Sequence, residues 1–104
     1  MADRIIGGTV NSDGTIKYGS EFSVSRTTEG HYVIAFRPGF AQVSGASATQ
    51  IFPDDGNTRD NVVIIRLTPS ELYLKTGDSN GNAKDRNFSF IATGIGSVAA
   101  VEKD

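Results

Sequence analysis

The stretch EFSVSRTTEGHYVIAF, residues 21–36, predicts two antiparallel β-strands joined by a tight turn. In EFSVSR, the apolar Phe22 and Val24 alternate with serines, which is the period of a strand with one buried face. The segment TTEG supplies the glycine that a short reversal favours, and HYVIAF then resumes the apolar pattern. We therefore expect a β-hairpin at residues 21–36.

Short apolar segments bounded by Gly, Asn, Asp and Ser recur on both sides of this hairpin. Such spacing is typical of an all-β sandwich or barrel, and helical periodicity is nowhere sustained. The other predicted strands are RIIGGTV, TIKYG, ATQIF, NVVIIRL, ELYLKT and NFSFIAT. We expect a single antiparallel, jelly-roll-like β-sandwich of about eight short strands over residues 1–94, followed by a loosely ordered tail at 95–104.

The composition limits the kinds of binding partner and the cellular compartment that we expect for this protein. The 12 acidic and 10 basic residues, with a net charge of −2, argue against a nucleic-acid-binding surface. The chain has no cysteine, which excludes disulfides and thiolate metal sites. MADRIIGGTV lacks the features of a secretory signal, and the apolar run in NVVIIRL is too short to span a bilayer. We expect a soluble protein without membrane insertion or cofactor, either cytoplasmic or part of a phage-like particle.

Two predicted strands are apolar on both faces. In HYVIAF, Val33 and Ala35 lie opposite the larger side chains. In NVVIIRL, the alternation predicts Val63, Ile65 and Leu67 on one face, opposite the other two aliphatic residues. Either a loop covers the second face of a strand in the middle of the sandwich, or another subunit does. Because a chain of this length builds only a modest core, we favour burial against another subunit.

The opening GGTVNSDGTIKYGSEFSVSRTTEGHYVIAF and the close DRNFSFIATG resemble a bacterial and phage module. That module occurs at the C-terminal tips of phage tail fibres, collagen-like proteins and other bacterial surface proteins. The resemblance covers about residues 6–94, and its motifs are structural rather than catalytic. It implies a compact β-sandwich, a homotrimer that caps a fibre or presents a binding surface.

A weaker likeness is to the H-type lectins, trimeric sandwiches that bind N-acetylgalactosamine. The shared features are an aromatic strand, a GF step, NVVIIRLT, ELYLKT and a final aromatic strand. None of the sugar-contacting residues of those lectins is assigned to a position of this chain.

The polar stretch DSNGNAKDR, residues 78–86, has three interpretations: a calcium loop, a ligand-binding loop or the tip of a hairpin. An EF-hand loop needs Gly at its sixth position and Glu at its twelfth, where this chain has Ala83 and Ser89. Asn80-Gly81 accepts a positive φ at low cost, which suits a chain reversal. We expect a hairpin loop.

The stretch PDDGNTRDN, residues 53–61, is similarly acidic. Asp54, Asp55 and Asp60 are weak candidates for calcium ligands, and a solvated loop with Arg59 as counter-ion is the simpler interpretation. Both polar loops place an arginine beside an aspartate, in TRD and KDR. Such pairs are expected to tie a loop to its neighbour or to another subunit.

The chemistry of the chain favours binding over catalysis. His31 is the sole histidine and lies within a predicted strand, so we expect no enzyme. Sugar sites combine aromatic faces with Asp, Asn and Arg groups, although tyrosines also occur at sheet edges and subunit contacts. The expected ligand-binding residues are Tyr32, Tyr73, Asp78, Asn80 and Arg86.

The sequence thus predicts a non-catalytic binding module, resembling phage fibre-tip or bacterial surface domains, that recognises a glycan or another cell-surface molecule. The alternative is a structural homotrimerisation or capping domain without a small-molecule ligand.

Overall fold

The computed structural model describes residues 2–52 and 56–98, which form two four-stranded antiparallel sheets packed as a sandwich. The strands are β1 (Asp3–Val10), β2 (Ile16–Gly19), β3 (Phe22–Thr28), β4 (His31–Phe36), β5 (Gln42–Ile51), β6 (Val62–Leu67), β7 (Glu71–Thr76) and β8 (Asn87–Ile95). Each predicted segment forms one strand, which confirms the all-β sandwich. β5 begins earlier than ATQIF predicts, because the small residues that precede this segment also adopt extended backbone.

The first sheet has the strand order β2-β1-β8-β5, and the second has the order β3-β4-β7-β6. The chain crosses between the sheets after β2, β4, β5 and β7, which gives the jelly-roll-like connectivity. β7 and β8 therefore belong to different sheets, and DSNGNAKDR connects the sheets instead of closing a hairpin between paired strands. A small local reversal remains, because Gly77 bridges to Ala83 and Gly81 has a φ of 84°.

The core lies between the sheets and is rich in aromatic side chains. In the β3–β4 hairpin, Phe22 pairs with Phe36 in the register, and both side chains face inward as the alternation predicts. Edge-to-face pairs with ring centroids 4.9–5.0 Å apart are Phe22–Phe90, Tyr32–Phe88 and Phe36–Phe40. The first two pairs join the sheets, since each has one ring on either sheet.

Strand β6 differs from its sequence-based description. It is an edge strand of the second sheet, so it does not lie in the middle of the sandwich. A bulge between Ile64 and Arg66 shifts the alternation, and Leu67 consequently packs on the core instead of sharing the face of Val63 and Ile65. The latter two side chains are 52% and 53% exposed.

The two ends of the described chain meet at one end of the first sheet. Asp3 pairs with Ile95, and the Gly96 N–H donates to the Ala2 carbonyl at 3.0 Å. The Val98 N–H donates to the Gly39 carbonyl at 3.0 Å, and the rest of the predicted tail lies outside the described residues. Within the described part of the chain, no helix has the length and hydrophobicity needed to cross a membrane.

Candidate functional site

Asp85 fixes the β7–β8 connection to the β3–β4 hairpin. Its Oδ1 accepts a hydrogen bond from the Gly30 N–H at 2.7 Å, and its Oδ2 accepts one from Arg26 Nε at 2.8 Å. Burial tends to raise the pKa of Asp85, but the hydrogen bonds from Gly30 and Arg26, together with the guanidinium charge, outweigh it and hold this pKa below its ordinary value. The Asp85 carboxylate therefore holds the β7–β8 connection against the β3–β4 hairpin.

The lowered pKa of Asp85 predicts an acid-sensitive contribution to stability. We expect Asp85→Asn to lower the free energy of unfolding by about 1 kcal/mol at pH 7. A depressed pKa stabilises the folded state above the unfolded pKa of about 3.9, and this contribution is lost as the pH falls through the folded pKa. The difference between wild type and variant should thus shrink as the pH falls below the unfolded pKa and vanish below the folded pKa, where the protonated Asp85 resembles asparagine.

Urea denaturation of the two proteins at pH 7 and pH 3 measures this difference. Asp3→Asn is the control, because the Asp3 side chain makes no hydrogen bond or ion pair within residues 2–52 and 56–98. An effect of Asp85→Asn that is equal at both pH values would contradict the role of the Asp85 charge.

Tyr32, a predicted ligand residue, lies in the core and is 1% exposed. Its hydroxyl donates to the Ser12 carbonyl at 2.7 Å and lies 3.4 Å from Asp85 Oδ1. Burial, followed by the charge of Asp85, raises the pKa of Tyr32 to about 12. Tyr32 is therefore not the surface contact that was expected. Its ring is buried because the alternation of β4 places it on the same face as Ile34 and Phe36. Its hydroxyl lies beside Asp85 and helps to hold that carboxylate in place.

An open groove of about 350 Å³ lies at the ends of β6 and β7, beside the turn that follows β7. It is lined by Arg59, Asn61, Val63, Lys75, Asp78 and Ser79, among others. Lys75 lies between His31 and Val63 in the register of the second sheet, and its side chain is partly buried. We refer to this surface as the β6–β7 groove.

Asp78, the one predicted residue that lines the β6–β7 groove, also forms its adjoining turn. Its Oδ1 accepts the N–H groups of Asn80 at 2.9 Å and Asn82 at 3.0 Å. The hydrogen bond from Asn82 is the main cause that lowers the pKa of Asp78, so the carboxylate is ionised at neutral pH. The Asn82 side chain also contributes a hydrogen bond that lowers this pKa, while Asn80 is exposed on the turn.

Tyr73 lies on the same outer face of β7 as Lys75, two residues away. Its hydroxyl donates to Glu71 Oε1 at 2.9 Å, which raises the pKa of Tyr73, and the Arg66 guanidinium lies 4.9 Å from the ring centroid. One face of the ring is therefore covered by Arg66. Tyr73 does not line the β6–β7 groove.

Arg86 lies in a different depression, beside Phe52 and Asp85. Its guanidinium is 4.6 Å from the Phe52 ring centroid, and its Nη2 is 3.8 Å from Asp60 Oδ2. The ion pair with Asp60 joins the two polar loops, which confirms the tie predicted from TRD and KDR. Arg86 and Asp78 consequently do not share one site.

The acidic loop gives no metal centre in the described part of the chain. Asp60 has a side chain that is only 5% exposed and pairs with Arg86, while Asp54 and Asp55 lie outside the described residues. Within residues 2–52 and 56–98, no group of three or more His, Asp or Glu side chains is arranged to hold a metal ion.

The sequence analysis missed the two cations of the β6–β7 groove, Lys75 and Arg59. The alternation in ELYLKT contains the signal for Lys75, because it aligns this residue with Glu71 and Tyr73 on the outer face. Nothing in the sequence indicates that Arg59 joins them, since the β5–β6 loop approaches β7 only through the tertiary fold.

A second surface covers the outer face of β1, β8 and β5. Its outward positions within residues 5–9, 89–93 and 45–49 are all Ile, Gly, Ser or Thr, so the face carries no charged side chain there. Ile5 and Ile91 protrude, with 66% and 46% of their surface exposed. Two shallow depressions of about 190 Å³ each lie along Ile91, over the small residues of β5 and β8. We refer to this surface as the Ser/Thr/Ile face.

No known protein-family model matches the chain, and no curated protein or solved structure is significantly similar to it. The likenesses to fibre-tip modules and to H-type lectins therefore stay predictions.

Proposed function

We propose that the protein is a non-catalytic binding module that associates as a homotrimer through its Ser/Thr/Ile face and recognises a glycan or another cell-surface molecule with its second sheet. The observation that carries this proposal is the contrast between the two outer faces of the sandwich. One is uncharged over most of three strands, whereas the other carries Arg66, Glu71 and Lys75 around Tyr73, with the exposed Val63 and Ile65 at its β6 edge.

The Ser/Thr/Ile face has the properties of a contact between identical chains. Its apolar side chains gain about 25 cal/mol for each Å² removed from water, and no charge has to lose its hydration there. Ile5 and Ile91 protrude beside depressions floored by small residues, so the same face contains both projections and recesses. Around a three-fold axis each contact joins two different parts of the surface, and a face with both projections and recesses supplies both parts. The number of three chains follows from the resemblance to fibre-tip modules.

The outer face of the second sheet supports contact with a polar ligand. Lys75, Glu71 and Arg66 project from β6 and β7 around Tyr73, next to the β6–β7 groove. Burying these charges against an apolar surface would be costly, whereas a hydroxyl-rich ligand can replace their hydrogen bonds to water. For this reason we choose the Ser/Thr/Ile face over the outer face of β6, although the sequence predicts that the second apolar face of this strand is buried against another subunit.

Light scattering on a size-exclusion column tests the association. We expect wild type to elute with three chain masses and Ile91→Glu with one, because the new carboxylate would be desolvated in an apolar contact. Ile65→Glu is the matched control: it makes the same change at an isoleucine that is 53% exposed, but on the second sheet. This variant should keep three chain masses.

A monomeric wild type would contradict the proposal. Dissociation by Ile65→Glu but not by Ile91→Glu would instead assign the contact to the second sheet, as the apolar pattern of β6 predicts. The second candidate function, a structural homotrimerisation or capping domain without ligand, is favoured by the same uncharged face. Ligand binding separates the two candidates.

A further inference from the structure

We propose that the β6–β7 groove binds an acidic sugar, with Lys75 and Arg59 holding its carboxylate. This inference rests on the proposed binding function and specifies the class of ligand. The charges, the hydrogen-bonding groups and the position of the groove support this choice of ligand.

The groove is a locally positive site on an acidic protein. Its lining contains two cations, Lys75 and Arg59, and one anion, Asp78, a local net charge of +1, whereas the whole chain has a net charge of −2. The ion pairs within residues 2–52 and 56–98 engage Arg4, Arg26 and Arg86 but not Lys75. Lys75 is also partly buried between Val63 and His31, so an anion beside it is less screened by water than at an exposed lysine.

The groups around the cations suit a sugar rather than a simple anion. Asp78 accepts both backbone hydrogen bonds of its turn through Oδ1, and its ionised carboxylate has further acceptor capacity for a ligand hydroxyl. Asn61 and Ser79 line the same groove and add donors and acceptors. Val63, 52% exposed, offers an apolar patch for the C–H groups of a sugar ring.

The carboxylate is assigned to the cations on chemical grounds. Arginine presents a planar fork of N–H donors that matches a carboxylate, and lysine adds a compact positive charge. A neutral sugar would leave both cations without a partner. A nucleic acid would need a wider basic surface than two cations on an acidic chain provide.

Isothermal titration calorimetry with three probes tests the inference: a uronic-acid oligosaccharide, its neutral methyl ester and a sulfated oligosaccharide of equal length. We expect wild type to bind the uronic-acid form at least about tenfold more tightly than the methyl ester, which is about 1.4 kcal/mol. The affinity should fall as ionic strength rises. A preference for the sulfated probe over the uronic-acid probe would overturn the assignment of a carboxylate.

Lys75→Glu should weaken binding of the uronic-acid probe by at least about tenfold. Arg37→Glu is the matched control, with the same two-unit change of charge at an exposed site. Arg37 follows β4 at the end of the second sheet opposite to Lys75, because His31 pairs with Lys75 and Ala35 with Glu71. Far-ultraviolet circular dichroism checks that both variants fold, and Lys75→Gln serves if the glutamate variant does not.

The outcomes separate this inference from the proposed function. Equal binding of the uronic-acid probe and its methyl ester, or binding unaffected by Lys75→Glu, would overturn the acidic-sugar site and leave a sugar-binding module. Absence of binding to all three probes would overturn the site as well. If a broad glycan array also retained no ligand, the glycan-binding function would fall and the structural homotrimerisation domain would stand.

Discussion

Phe88→Ala is expected to lower the free energy of unfolding by about 3–5 kcal/mol, the usual cost of truncating a buried phenylalanine. Phe88 is 0% exposed and lies opposite Val10 and Gln50 in the register of the first sheet. Its ring centroid is 5.0 Å from that of Tyr32 on the second sheet. Removing the ring therefore empties the space between the two sheets and breaks one of the aromatic pairs that join them.

A loss of this size is a large part of the total stability of a small domain, which is about 5–15 kcal/mol. Urea denaturation followed by circular dichroism measures it, at one fixed protein concentration, because association shifts apparent stability. Phe52→Ala is the control with the same chemical change, since Phe52 is 44% exposed. It should cost less than half as much, and equal losses for the two variants would contradict the described core.

Gly94→Ala is expected to lower the free energy of unfolding by about 1–3 kcal/mol, the range for overpacking a filled interior. A methyl group at Gly94 would collide with the Gln42 carbonyl oxygen and would lie 2.7 Å from Phe40 Cδ1 and 3.0 Å from Val43 Cα. Because two of these atoms belong to the backbone, rotation of a side chain cannot relieve the collision. The start of β5 must move.

Gly45→Ala is the matched control for this prediction, because nothing lies within 4 Å of a methyl group at Gly45 on β5. Within one subunit that change should leave stability unchanged or raise it by about 0.4–1 kcal/mol, through the lower entropy of the unfolded chain, and a loss that depends on protein concentration would instead report on the Ser/Thr/Ile face. Thermal unfolding of both variants at one concentration gives the comparison. Loss of stability in Gly45→Ala but not in Gly94→Ala would contradict the described path of β5 beside β8.

The sequence predicted the strands well because their signals are local. Alternation in EFSVSR and HYVIAF determines which side chains face the core, and Phe22 and Ile34 are buried as expected. The positive φ of Gly81 was equally predictable, since it depends on the preference of one residue. These features need no information about distant parts of the chain.

The errors arose where one strand meets another. The bulge in β6 depends on how this strand pairs with β7, and it moved Leu67 to the core side. The destination of DSNGNAKDR depends on which sheet receives β8, a choice that the loop residues do not encode. The packing of one sheet on the other is not encoded locally either. Tyr32 was therefore predicted to lie at the surface, although the Phe88 ring from the other sheet packs against it.

The positions of residues 2 and 96 relative to the groove have a practical consequence for tethering. Residues 2 and 96 are hydrogen-bonded at one end of the first sheet, while Gln50 Nε2, at the other end, donates to the carbonyls of Asn61 and Gly77 in the groove wall. β1 covers most of this length, about 23 Å at 3.3 Å per residue. A molecule immobilised beside residue 2 or residue 96 would thus hold its groove away from the support, on the side that a polymer in solution reaches first.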